Sequence, residues 1–294
     1  MKKILLFGVT GMLGSELFDN LSEKEYDVIG VPHDSIDICK TESVKGMIYT
    51  FKPDFVINCA AYTKVDECEE NYKNAEKING LAISNIANFC KDIDSTLVQI
   101  STDYVFDGNL ELNCNYTEDM TANPINAYGK TKIIGEQCAM IAKKYYILRT
   151  SWLYGKGGNN FVDTMLKLSE TKNEVDVISN QYGSPTSVAS LVDIIEQFIE
   201  LEPEYGIYHT VNSEYTSRVE FTKLIYKLTK KSVKVNPITP EEYMTKNSSK
   251  ILAKRPINSK LSTEKLINVG IKPCDYKTAL KKYLIDTNKM VEGE

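Results

Sequence analysis

Residues 2–22 read KKILLFGVTGMLGSELFDNLS. Ile4, Leu5, Leu6 and Phe7 form an uninterrupted apolar run, the pattern of a parallel strand covered on both faces. Gly8, Gly11 and Gly14 follow at three-residue spacing, and Leu13, Leu17 and Leu21 recur on one face of a helix. The glycines therefore fall on a turn from a strand into a helix. Glycine accepts positive φ and lets a ligand approach the backbone, while a helix N-terminus attracts phosphate. A glycine-rich turn by itself is ordinary; placed between a strand and a helix it reads as a dinucleotide site. The spacing is G-x-x-G-x-x-G, not the commonest G-x-G-x-x-G.

The alternation continues outward from this stretch. Strands are predicted over 3–8, 27–31, 54–60, 96–100 and 145–149, and helices over 12–22, 43–51, 74–91 and 127–142. This order is the signature of an α/β fold, a doubly wound parallel sheet of the Rossmann type with right-handed crossovers. Asn79 falls inside the third helix, where exposure is the ordinary outcome and a hydrogen bond to a neighbouring strand the alternative. Beyond Thr150 the pattern loosens. A helix is predicted over 161–168, a short strand over 176–179, a turn-rich loop from Asn180 to Thr186 and an amphipathic helix over 188–199. A strand over 206–211 and helices over 218–228 and 273–284 complete the chain. We expect a dinucleotide-binding domain over 1–151, with parts of 176–211 returning to it. A smaller, mainly C-terminal substrate-binding lobe would be formed by 152–175 and 212–294.

Of the 294 residues, 42% are hydrophobic and 26% charged, which is enough apolar content for a full core. The net charge of -5 argues against a nucleic-acid partner. No apolar stretch reaches membrane length, and Met1-Lys2-Lys3 runs straight into the first strand, so neither a membrane span nor a signal peptide is expected. The seven cysteines are scattered and include no C-x-x-C, which fits a reducing cytoplasm and no zinc site. With only His33 and His209 available, a histidine metal site or a Ser-His-Asp hydrolase is hard to build. Both histidines read as surface or packing residues.

Chemistry is concentrated in two further segments. Residues 123–136 read NPINAYGKTKIIGE, so Tyr128 and Lys132 stand at i and i+4 on one helix face. A free phenol has a pKa of about 10, and a nearby cation lowers it. The pair is thus a candidate acid/base unit, although a lone Y-x-x-x-K more often just covers a surface. Residues 99–106 read QISTDYVF and close the 96–100 strand. Ligands of open α/β sheets bind beyond the carboxyl ends of strands, which places the Thr102 hydroxyl near Tyr128. Taken alone, this segment would be an ordinary Ser/Thr turn.

Assembled, these pieces resemble the dTDP-4-dehydrorhamnose reductase family of the extended short-chain dehydrogenase/reductase superfamily. The matching stretches are GVTGMLGSEL, NCAAYTKVDECEE, ISTDYVFDG, NPINAYGKTKIIGEQ, LRTSWLYG, GNNFVDTML, NQYGSPT and RPINSKL, and they cover nearly the whole chain. The resemblance implies a pyrophosphate loop of Gly8, Gly11 and Gly14 with the Met12 and Leu13 amides. It implies adenine contact at Asp37 and Ile38, and a cofactor-lining strand end at Cys59, Ala60, Ala61 and Tyr62. Thr102, Tyr128 and Lys132 match the catalytic set, with Tyr128 and Lys132 also at the cofactor. Tyr104, Val105 and Trp152 match substrate-facing positions, and Asn159 and Arg255 the nucleotide-sugar side of the cleft. Core packing is the commoner fate of a tryptophan, and surface exposure that of an arginine. The implied reaction is reduction of the 4-keto group of a 4-keto-6-deoxy sugar nucleotide, with Tyr128 as proton donor and Thr102 on the same oxygen.

Departures qualify the resemblance. An NAD-preferring site commonly has an acid at the end of the second strand. Val31-Pro32-His33-Asp34 stands here, with Asp34 late and no Arg or Lys for a 2′-phosphate, so NADPH and NADH both remain open. Dehydratases of the superfamily carry Asp-Glu after the active-site Thr; Tyr104 stands in place of that Glu and favours plain reduction. An epimerase, and a catalytically silent regulatory subunit that resembles the same family, are the rivals. The intact Thr102, Tyr128 and Lys132 set favours an enzyme. Some relatives dimerise through a metal held by acidic residues, and Glu16 lies near one such position. A surface Glu suits it better, so no metal site is expected and Mg2+ finds no support in the sequence. A homodimer is allowed, and thymidine is the family's usual base.

Overall fold

The computed structural model describes residues 1–248 and 251–290. Strand β1 (Lys2–Phe7) carries Ile4 to Phe7 with no exposed surface, because both its faces are covered. It pairs in parallel with β2 (Tyr26–Val31) on one side and β3 (Phe55–Asn58) on the other. Next come β4 (Thr96–Thr102), β5 (Tyr145–Thr150) and, at the far edge, the strand Gly206–His209, all parallel. From one edge the order is β2, β1, β3, β4, β5, Gly206–His209. The chain leaves β1 towards β2 and returns to the other side at β3. The topological switch point therefore lies between β1 and β3, where doubly wound sheets open a ligand crevice.

Helix α1 (Met12–Ser22) covers one face with Leu13, Leu17 and Leu21. The helix Val188–Leu201 shares that face through Leu191, Ile194, Ile195 and Phe198. Helix α2 (Thr41–Phe51) and the helix Ala82–Asp92 close the other face with Val44, Ile48, Ile83, Ile86 and Phe89. A separate apolar core of Val162, Val175, Val177, Phe221, Ile225, Leu280 and Leu284 lies in the second part of the chain. There Glu174–Ile178 pairs with Lys234–Ile238, apart from the main sheet. The helix Val188–Leu201 thus packs on the main sheet and Gly206–His209 forms its edge, whereas Glu174–Ile178 pairs outside it. The last helix, Tyr276–Asp286, starts later than expected because the Asp275 carboxylate takes the amides of Lys277 and Thr278. His209 is fully buried, and desolvation brings its pKa down to about 3, so it is a neutral packing residue. No helix among the described residues is long and apolar enough to cross a membrane.

A buried ion pair ties the middle of the molecule together. Arg149 on β5 donates to both carboxylate oxygens of Glu136, at 2.9 and 2.7 Å, and Ser101 on β4 adds a third bond at 2.5 Å. All three residues are buried. Breaking such a pair leaves a charge stranded, whereas replacing both partners by apolar groups of similar volume is far milder. Arg149→Met is expected to cost about 3–5 kcal/mol of stability in urea unfolding, with much of it recovered in the Glu136→Met/Arg149→Met double variant.

Candidate active site

The helix Ala127–Ala139 is started by Asn126, whose side chain accepts the Gly129 amide at 2.7 Å and donates to Lys254 O at 2.8 Å. Two glycines let this helix sit unusually close to its neighbours. A Cβ at Gly129 would stand 2.1 Å from Tyr104 O, and one at Gly135 2.1 Å from Asn79 O. The first contact presses the helix onto the turn after β4; the second presses it onto a wide π turn, Lys77–Leu81. Such turns recur at functional sites. Asn79 lies in it, 1% exposed, and holds Tyr62 N and O and the Thr131 hydroxyl at 2.7 to 3.0 Å. It therefore clamps the strand end after β3 to the helix bearing Tyr128.

Tyr128 meets Tyr104 edge-to-face, ring centroids 6.1 Å apart. Burial, then the Asp103 carboxylate, push its phenol above the ordinary value, while a hydrogen bond from the Thr102 side pulls the other way. Lys132 is 3% exposed and donates to Ile100 O at 2.6 Å. Desolvation brings its pKa down to about 8 against the opposing pull of Glu136 and Cys59. The Lys132 ammonium is turned to the end of β4. The Thr102 hydroxyl donates to Asp103 Oδ1 at 3.0 Å and accepts the Tyr104 amide at 3.2 Å.

Two guanidinium groups converge on the same cluster. Arg255 pairs with Asp66, and both Arg255 and Arg218 stand in the electrostatic field of Tyr104. Arg218 lies 3.6 Å over the Trp152 ring and 4.7 Å from that of Phe161, and burial lowers its pKa to about 10. One indole face is thus taken by Arg218, leaving less of Trp152 for a sugar than the sequence suggests. Trp152 holds φ at 46°, a left-handed conformation that non-glycine residues keep only under constraint, often at functional sites. The side chain of Val105, which matches a substrate-facing position, is buried with Phe106, Tyr116, Val211 and Leu261. Asn159 is exposed, in a loop whose Gly158 lies against Met12. Its neighbour Asn160 caps the next helix.

The glycine turn fits a dinucleotide pyrophosphate position by position. Gly8 has φ +82°, and a Cβ there would meet Ala60 N at 2.6 Å. A Cβ at Gly14 would stand 2.1 Å from Gly8 O, so this glycine packs the helix onto the strand. Gly11 is exposed, and a Cβ on it would meet only Gly8 O, at 3.4 Å; the rest of that space is open to a ligand. No side chain caps the N-terminus of α1, which leaves its first amides, Met12 and Leu13, for an anion. The strand end Cys59–Tyr62 runs between this turn and Lys132, with Ala60 at Gly8 and Cys59 in the field of Lys132. The Asp37 carboxylate accepts the Cys39 amide at 2.9 Å, and Ile38 is buried in the core. Among the described residues no group of three or more His, Cys, Asp or Glu is arranged to hold a metal. Asp103 and Arg218 were not singled out from sequence. Asp103 follows Thr102 directly and could have been; Arg218 opens a helix far along the chain and carries no local signal.

Residues 1–289 match the family model described as RmlD substrate binding domain. The chain is 39% identical to the spore coat polysaccharide biosynthesis protein SpsK of Bacillus subtilis, over 97% of each chain. It superposes on the crystal structure of a dTDP-4-dehydrorhamnose reductase from Clostridium acetobutylicum with a TM-score of 0.91 and 40% identity, covering 98% of this chain and 100% of that one. A dTDP-4-dehydrorhamnose reductase from Bacillus anthracis, solved in complex with NADP, gives a TM-score of 0.91 at 36% identity over 97% and 99%.

Proposed function

The chain belongs to the dTDP-4-dehydrorhamnose reductase family, and from that premise we propose that it reduces the 4-keto group of dTDP-4-dehydro-L-rhamnose to give dTDP-L-rhamnose, with NADPH as reductant. The observation that carries the reading is the Tyr128 ring set against Tyr104 on the turn after β4, in a sheet whose first turn leaves open space over Gly11 and uncapped amides at the start of α1. The bound cofactor supplies the hydride. Tyr128 gives its proton to the C4 oxygen as the alcohol forms. Gly8, Gly11, Gly14 and the amides of Met12 and Leu13 hold the pyrophosphate, with Asp37 and Ile38 on the adenine side. Cys59 to Tyr62 line the path between that turn and Lys132. Arg218 and Arg255 supply the positive charge that a diphosphate needs, and guanidinium forks match its geometry. Tyr104 and the free part of Trp152 face the sugar.

Lys132 shares the helix of Tyr128 and lies in the field of Cys59, and we assign it to the cofactor ribose and to Tyr128 together. Lys132→Met is expected to weaken NADPH binding by about 10-fold in calorimetry, or about 1.4 kcal/mol, and to lower kcat as well. Unchanged cofactor affinity would remove the ribose contact. The function itself is tested by offering NADPH and NADH with a panel of 4-keto-6-deoxy sugar nucleotides and reading product stereochemistry by NMR. Turnover only with a non-thymidine nucleotide would sink the substrate assignment. Turnover with none would favour a regulatory nucleotide-binding subunit.

A further inference from the structure

Arg218 is the first residue of the helix Arg218–Leu228. Its guanidinium carbon lies 3.6 Å from the centroid of the Trp152 ring and 4.7 Å from that of Phe161. The shorter distance is ordinary carbon–carbon contact. A guanidinium standing on edge there would drive a nitrogen into the ring, so its plane lies along the indole. Stacking uses the faces of the group and leaves its N–H donors, which lie in the plane. Among the described residues no carboxylate forms an ion pair with Arg218, whereas Arg255 is paired with Asp66.

The stack has a fixed base. The Ser151 hydroxyl donates to Ser184 O at 2.7 Å, Thr186 N donates to Trp152 O at 3.4 Å, and Leu153 pairs with Thr186. These contacts hold Trp152 at its φ of 46°. A Cβ on Gly183 would stand 2.9 Å from Trp152 Cε2 and 3.1 Å from Cζ2, so the six-membered ring of the indole lies against bare backbone. Gly183 in turn pairs with Thr216, and Arg218 N donates to Gln181 O at 3.1 Å. The segment that supports the indole thus also anchors the helix start that carries Arg218. With Arg218 over the ring and Gly183 against its benzo edge, the indole keeps little surface for a sugar.

We propose that Trp152 and Phe161 are positioning residues that act through Arg218: their rings hold its guanidinium by the faces, so that its in-plane N–H donors meet the diphosphate of the sugar nucleotide. The proposal rests on the reading of this cleft as a nucleotide-sugar site. It moves the main duty of Trp152 from the sugar ring to the diphosphate. A guanidinium fork bonds two phosphate oxygens at once. A side chain already ordered by stacking loses less freedom when it does so.

Calorimetry with dTDP tests this, because dTDP carries the diphosphate without the 6-deoxy sugar. Arg218→Met is expected to weaken dTDP binding about 10- to 100-fold, the worth of hydrogen bonds to a charged group. Arg218→Lys should recover little of it, since lysine has neither the plane nor the fork. Trp152→Ala should weaken dTDP binding about 3- to 30-fold although the indole touches no phosphate, and Trp152→Phe should restore most of that loss. The Arg218→Met/Trp152→Ala double variant should bind no worse than Arg218→Met. Wild-type dTDP affinity in Trp152→Ala, or losses that multiply, overturns the proposal. If that variant also binds dTDP-L-rhamnose more weakly, the indole serves the sugar instead. Phe161→Leu makes the same comparison if the Trp152 variants do not fold. Trp152 is the only tryptophan, so its emission reads the stack directly. Arg218→Met should change that emission, and dTDP should leave the wild-type spectrum nearly in place. Identical spectra for wild type and Arg218→Met, or a wild-type spectrum that dTDP moves to that of Arg218→Met, would remove the stack from the bound state. Wild type that binds dTDP but reduces no 4-keto sugar nucleotide fails the functional reading and leaves the proposal to the calorimetry. Wild type that binds neither dTDP nor UDP sinks the proposal itself.

Discussion

Tyr128→Phe is expected to lower kcat by about 10² to 10⁴-fold, the usual contribution of one positioned proton donor, while fold and NADPH affinity stay near wild type. The ring stays, so its edge-to-face contact with Tyr104 and the close approach of Gly129 to the β4 turn remain. Only the hydroxyl is lost. Its removal costs little in the resting protein, since Thr102 keeps its bonds to Asp103 and Tyr104. The loss falls where the C4 oxygen needs a proton. It should therefore appear in kcat and kcat/KM together, the signature of an interaction made only in the transition state. The measurement is single-turnover oxidation of NADPH with saturating sugar nucleotide. A variant within a few-fold of wild type would mean that another group, or solvent, protonates the product. Tyr104, in contact with the ring, would be the next residue to examine.

What the sequence disclosed about this site follows from how far each feature depends on distant contacts. The strand–glycine–helix unit is local, and the predicted helices over 12–22 and 218–228 match the observed ones to the residue. The T-x-x-E capping box at Thr239 and Glu242 was equally legible but went unread, and a helix starts there. The two-residue strands Leu153–Tyr154, Tyr182–Gly183, Thr186–Ser187, Thr216–Ser217 and Asn258–Ser259 carry no period at all; they exist because distant segments lie side by side. Val105 shows a finer limit. Residues Asp103–Val105 form a 3-10 turn, which changes which side chains share a face relative to an extended strand. Tyr104 then faces the cluster at Tyr128, while Val105 turns into the core. Tyr128 and Lys132 do lie on one helix, but their spacing carries no sign of the Ile100 carbonyl that captures the ammonium. Desolvation, which a one-dimensional pattern does not contain, raises the phenol above its ordinary value.

Gly11→Val is expected to weaken NADPH and NADH binding on the order of 10²-fold or more, at least about 2.7 kcal/mol, in a protein that still folds. The three glycines of the turn have different duties. Gly8 and Gly14 are fixed by the protein's own backbone, since a Cβ at either would stand within 2.6 or 2.1 Å of another main-chain atom. Gly14→Ala should therefore cost stability, about 1–3 kcal/mol as for other overpacked sites, before any ligand is considered. Gly11 has no such neighbour: its φ of -84° is ordinary for any residue, and the nearest atom to an added Cβ is 3.4 Å away. The space above it is empty of protein and faces the uncapped amides of α1. A valine there would fill the volume an anion must occupy to reach those amides, without straining the fold. The pair of variants separates the two roles: Gly14→Ala should shift the urea midpoint, and Gly11→Val should leave it in place while abolishing the calorimetric signal for both dinucleotides. If Gly11→Val binds NADPH as tightly as wild type, the pyrophosphate does not lie over this turn, and the cofactor would have to enter the crevice between β1 and β3 in another orientation.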